Sequence, residues 1–160
     1  MSTVYHFHRE QWLPAPPSEV FRFFSDARHL ELLTPRWVNL RVLNPDAIEM
    51  KVGAEIHYEL HWCFLPLQWK TAIVEWKPPE YFVDQQAGGP YRFWRHTHAF
   101  QVEGDGTRMF DSVEYELPFG FLGRLLHAAK GRRDLDRIFD YRANAIRLIF
   151  SAESKMAKRA

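Results

Sequence analysis

Apolar and polar residues alternate through VYHFHREQW at 4–12, which predicts a strand with Tyr5 and Phe7 on one face and His6 and His8 on a solvated one. The period changes at PAPPSEVFRFFSD. Pro14, Pro16 and Pro17 stop the strand, a helix opens at Pro17 or Ser18, and Val20, Phe21 and Phe24 fall at helical spacing. Leu30 and Leu33, followed by Pro35, predict a second short helix at roughly 27–33. From Trp37 to Leu117 the period is mostly two. Strands are predicted at VNLRVLN, EIHYELHW, QWKTAIVEW, YFVDQQ, YRFWRHTHAFQV and RMFDSVEYEL, with turns at PDAIEMKVG, LPLQ, PPE, GGP and EGDGT. With the first strand this makes roughly seven. After Gly120 the helical period returns: Leu122, Leu125, Leu126 and Ala129 begin a stripe that Leu135, Ile138, Phe139, Arg142, Ile146 and Ile149 continue, with Gly131 as a place to bend. Thirty such residues would span about 45 Å. The polar end SAESKMAKRA, from about 151, is expected to fray.

This order predicts an α+β fold in one domain over 1–160. The apolar face of a seven-stranded antiparallel sheet must be covered, and the C-terminal helix is the element long enough to do so, with the short helices closing one end. A cavity between a curved sheet and one helix is a natural consequence, although side chains could equally fill it.

Composition sharpens that picture. Aromatics are 16% of the chain, with 6 Trp and 13 Phe, a ring density that suggests an aromatic-lined hydrophobic cavity. A net charge of +1 gives no electrostatic case for nucleic acid or an anionic membrane. Cys63 is the single cysteine, so no intrachain disulfide or cysteine zinc cluster forms, and an inert buried thiol in a reducing compartment is expected. No run approaches the roughly 18 apolar residues of a membrane span, and the N-terminal MSTVYHFHREQW has no apolar leader core. The expected location is the cytoplasm, as a monomer or homodimer.

Candidate chemistry gathers on the middle strands. Alternation puts Arg92, Trp94, His96, His98 and Phe100 on one face of YRFWRHTHAFQV, and that face is expected to point inward unless a bulge near Gly89 flips part of the strand. In the next strand Asp111 shares an inward face with Met109, Val113, Tyr115 and Leu117, and the EGDGT hairpin brings it near His96 or His98. A buried carboxylate needs a partner, which a histidine or Arg92 could supply. Asp84 and Gln86 alternate with Phe82 and are expected to join the same cluster, which has three readings: a satisfied network that fixes strand pairing, the polar end of a ligand pocket, or an acid–base pair. Tyr58, Trp62 and Trp69, with Phe139, Arg142 and Ile146 of the long helix, are expected as pocket walls and Tyr115 as a further ligand-binding residue, Arg142 pairing with Asp84, Asp111 or an acidic ligand. The His-x-His spacing puts two imidazoles about 7 Å apart at the Cα atoms, and Asp111 would give a third zinc-type ligand. Two-spaced histidines arise often, however, and no metal or other cofactor is expected.

The element order, with PPSEVFRFFSDARHLELLTP, FVDQQAGGPYRFWRHTHAF, GTRMFDSVEYELPFGFLG and LDRIFDYR, resembles the START-like or SRPBCC superfamily from about Val4 to Phe150. Within it the chain looks like bacterial ligand-binding proteins related to polyketide cyclase/dehydrase and CoxG-like proteins. The resemblance implies a helix-grip fold, a seven-stranded antiparallel sheet wrapped around the C-terminal helix over a hydrophobic pocket. The superfamily spans lipid and hormone binders, carriers, enzymes and chaperone regulators, so fold does not fix function. The expected function is binding of a small hydrophobic or aromatic molecule, with His96, His98 and Asp111 at the polar end of the cavity. The alternatives are a cyclase- or dehydratase-like enzyme using a histidine and Asp111 as acid and base, and an accessory protein acting through its surface.

Overall fold

Proline punctuation sets the first turn of the chain. In the computed structural model, which describes residues 3–44, 46, 48–62 and 65–157, strand β1 (Val4–Leu13) ends where the prolines begin. Helix α1 (Pro17–Phe24) starts on Pro17, whose missing N–H costs nothing at a first helical position, and buries Val20, Phe21 and Phe24. The second predicted helix is shorter than 27–33. A 3₁₀ turn covers Ala27–Leu30, capped by the Asp26 carboxylate, which accepts from the Arg28 N–H at 3.0 Å.

The described residues form one antiparallel sheet in the order β1-β7-β6-β5-β4-β3-β2. Its other strands are β2 (Arg41–Val42), β3 (Glu55–Trp62), β4 (Leu65–Lys77), β5 (Tyr81–Gly88), β6 (Phe93–Glu103) and β7 (Gly106–Glu116). The strand expected at 38–44 pairs over two residues only. Asn39 turns into the left-handed region at φ 47°, and the Asn44 side chain takes over the bonding by accepting from His57 N and donating to Glu55 O. β6 begins at Phe93 rather than Tyr91, so Tyr91 and Arg92 fall outside the alternation. Arg92 is exposed and pairs with Glu116 at 3.6 Å, and it does not meet Asp111 as the uninterrupted strand would have it. The reading of Cys63 falls outside the described residues, as do Pro45 and Ala47 of the expected turn region.

Beyond β7 the expected single helix is three pieces. α2 (Gly120–Leu126) runs through a π turn at His127–Gly131 into α3 (Arg132–Ala157). The stripe holds in α3, where Leu135, Phe139, Ile146 and Phe150 are buried, and the helix continues past the expected fraying point to Ala157. It does not hold in α2, where Leu122 and Leu125 are 57% and 56% exposed. Two groups of buried residues pack the inner face of the sheet. One joins α1 to the end of α3 through Phe21, Phe24, Phe82, Phe100 and Phe150, and the other joins Trp69, Trp94, Val113 and Tyr115 to Leu135 and Phe139.

Candidate functional site

A cavity of about 740 Å³ lies among the sheet, α1 and α3, a size typical of small-molecule sites. Trp69, Trp94 and Tyr91 build an aromatic wall, Trp69 meeting Trp94 edge-on at 5.3 Å and Tyr91 at 5.4 Å between ring centres. Tyr58 stacks on Trp69, and its hydroxyl meets Thr71 Oγ1 at 3.0 Å; burial pushes that phenol well above its ordinary range. Trp62 donates its indole N–H to Asp134 at 3.1 Å, and Lys130 pairs with the same carboxylate. Trp37, Leu65 and Phe119 line the cavity and are also exposed, so they mark its mouth.

One side chain from each of two strands and two from a third make the polar part. Strand register sets Asp84 of β5 opposite His96, and Asp111 of β7 opposite His98, with both histidines on the inner face of β6. The hydrogen bonds run diagonally, His96 Nε2 to Asp111 Oδ1 at 2.8 Å and His98 Nε2 to Asp84 Oδ2 at 2.9 Å. His98 Nδ1 also lies 3.1 Å from Asp111 Oδ1, close enough for attraction but misaligned, so that nitrogen has no hydrogen-bond partner. The two imidazoles stand 3.7 Å apart between centres. Arg142 reaches in from α3, its Nε 4.0 Å from Asp111 Oδ2 and without a hydrogen bond, and its guanidinium lies over the rings of Phe24 and Phe139.

These groups titrate as a set. Burial would raise both carboxyls, but the Arg142 charge and the histidine bonds hold Asp111 well below its usual range, and the bond from His98 with the histidine charges lowers Asp84. Burial and the neighbouring His98 charge push His96 down, whereas the two carboxylates flanking His98 outweigh its burial and push it up. His98 therefore holds a proton more readily than His96.

Of the residues singled out from sequence, Tyr58, Trp62, Trp69, Asp84, Trp94, His96, His98, Phe139 and Arg142 line this cavity. Four do not. Asp111 sits behind the histidines, facing a small separate hollow that Ile146 lines instead of the main cavity. Gln86 stays out of the cluster and instead braces the loop after β5, its amide donating to Tyr91 O at 2.7 Å. Tyr115 is packed beneath Tyr91 and Trp94, its hydroxyl 2.8 Å from His127 Nε2. Tyr91, Thr71, Asp134 and Phe24 line the cavity without having been singled out for it. Only Tyr91 carried a usable signal, the Gly-Gly-Pro break that ends the alternation.

Residues 13–138 match the family described as polyketide cyclase / dehydrase and lipid transport. The chain belongs to that family. This is the START-like, or SRPBCC, fold, as the element order suggested. Solved structures agree on the fold. A protein from Thermus thermophilus is 20% identical with a TM-score of 0.67, covering 98% of this chain and 100% of its own. Thalictrum norcoclaurine synthase, as a point mutant with a transition-state analogue, is 17% identical at TM-score 0.69, covering 96% and 98%. The Panax ginseng major latex-like protein 151 is 11% identical at TM-score 0.65, covering 92% and 97%. A comparison with curated proteins gave no match. Among the described residues no helix is long and apolar enough to cross a membrane.

Proposed function

We propose that the chain binds a small hydrophobic or aromatic molecule in this cavity, with Asp84, His98 and Arg142 holding a polar group of the ligand. The observation that carries the reading is the contrast within the cavity wall: aromatic and aliphatic side chains on most of it, and the buried group of Asp84, His96, His98 and Arg142, whose Nε has no hydrogen-bond partner among the described residues. A guanidinium and an imidazole N–H suit an acidic or carbonyl oxygen, and the apolar wall supplies area for an apolar body. In this reading the partner is the small molecule, with no part for nucleic acid or membrane insertion. The test is native mass spectrometry of freshly purified protein against its denatured mass. Extra mass lost on denaturation supports the reading; a ligand-free protein that also fails to take up small aromatic acids and phenols rejects it.

The His98–Asp84 pair favours a second reading, acid–base catalysis of the cyclase or dehydratase type. A buried histidine fixed by a carboxylate and open to a cavity can take and return a proton. Asp111, the base suggested by the sequence, would act here through His96 rather than on the substrate. Conversion of the ligand released from the native protein, lost in His98→Gln, would favour this reading over simple binding.

A further inference from the structure

The two histidines are arranged asymmetrically toward their carboxylates. Each presents one ring nitrogen to Asp84 and the other to Asp111: His98 Nε2 and His96 Nδ1 lie 2.9 and 3.9 Å from Asp84 Oδ2, while His96 Nε2 and His98 Nδ1 lie 2.8 and 3.1 Å from Asp111 Oδ1. Asp84 and both rings face the cavity, whereas Asp111 lies behind them. A network serving only to pin strands has no need of one carboxylate behind both rings and another in front. Imidazoles that hold a metal use that backing group, because a carboxylate on the far nitrogen fixes the tautomer and raises ligand basicity.

The donor geometry is compatible with a bound ion. The ligand atoms of Asp84, His96 and His98 all lie within 4.8 Å of one another. Ligands at about 2.0–2.1 Å from a tetrahedral zinc are roughly 3.3 Å apart. The two histidine–carboxylate separations of 2.9 and 3.9 Å bracket that value. Two imidazoles and one carboxylate leave coordination positions open on the cavity side, a ligand set used by zinc and ferrous sites. Charge agrees. With neutral histidines the two carboxylates and Arg142 sum to −1, and Arg142 lies against Asp111 rather than between the three donors. The sequence-based expectation of no metal weighs Asp111 as the third ligand, and the register puts Asp84 in that place.

We propose that Asp84, His96 and His98 form a divalent transition-metal site opening into the cavity, with Asp111 orienting the His96 imidazole through its hydrogen bond. It would supply a Lewis-acidic position for an oxygen of whatever occupies the cavity. The site stands or falls independently of the organic ligand.

The experiment titrates metal-stripped full-length protein with Co²⁺, followed by visible absorption, and then with Zn²⁺. One equivalent of Co²⁺ should give ligand-field bands that Zn²⁺ abolishes. Asp84→Asn and His98→Gln should lose the bands, Asp111→Asn should weaken binding about 10- to 100-fold, and a variant lacking the exposed His6 and His8 should bind as the wild type does. Histidine ring ¹⁵N spectra of the wild type, which need no substitution, should show Zn²⁺ shifts at His96 and His98 among the 8 histidines. Absence of stoichiometric binding, binding that survives both Asp84→Asn and His98→Gln, or shifts confined to other histidines would overturn the proposal.

Discussion

Replacing Asp111 by Asn tests how the buried cluster is held together. Asp111 is the carboxylate that Arg142, His96 and His98 all face, and its side chain is 9% exposed. At 4.0 Å and an effective dielectric near 20, its attraction to Arg142 alone is about 4 kcal/mol before desolvation is subtracted. Removing one partner of a buried pair leaves the other charge uncompensated, so Asp111→Asn should destabilise by about 3–5 kcal/mol. Arg142→Met should cost less, about 1–3 kcal/mol, because Asp111 keeps its bond to His96 and its 3.1 Å contact with His98. In the double variant the stranded arginine is gone, so the two losses should sum to at least about 1 kcal/mol more than the measured total. The assay is urea unfolding of all four metal-free proteins at pH 7, comparing midpoints at constant slope. Losses that add within about 0.5 kcal/mol, or an Asp111→Asn loss below about 1 kcal/mol, would refute the idea that this carboxylate anchors the cluster.

Three further outcomes are expected. Stability of the metal-free protein should fall on both sides of a middle window: the lowered Asp84 and Asp111 stabilise the fold above the ordinary value of 3.8 and lose that contribution as pH drops through their folded values, while the raised His98 stabilises below 6.5 and loses it as pH rises through its own. Thermal midpoints across pH check this, and His98→Gln should flatten the alkaline side. Tyr115→Phe removes the buried bond to His127 and should cost about 1 kcal/mol in urea unfolding without changing ligand uptake, since Tyr115 does not line the cavity. Gly106→Ala should cost about 1–3 kcal/mol, because a Cβ there would run into the Leu13 carbonyl and the Trp12 ring; an unchanged midpoint would mean that β1 can move aside.

The sheet and most of the site were legible because a period of two is a direct record of which side chains share a face. Trp94, His96, His98 and Phe100 are buried together as alternation requires, and the EGDGT hairpin fixes which residue of β6 Asp111 opposes. Diagonal pairing was not legible, since it depends on side-chain rotamers across a ladder, and it exchanged the partners of His96 and His98. Gln86 was misplaced because face alternation says nothing of how far along the strand a side chain leans, and this one turns to the loop backbone. In α2 the apolar stripe of Leu122 and Leu125 reads the same whether it meets a sheet or solvent. The π turn at His127–Gly131 separates those two cases, and it ends on Gly131, the residue expected as a place to bend.

The exposed apolar face of α2 and the inner cavity offer alternative places for an apolar molecule, and one measurement separates them. Methyl-resolved NMR of the protein titrated with a small aromatic acid reports both at once. Shifts are expected at Ile56, Ile73 and Leu135, which line the cavity, with the aromatic acid saturating one site. Shifts confined to Leu122 and Leu125 on α2, or no saturable shifts with any aromatic acid or phenol tried, would contradict binding in the cavity.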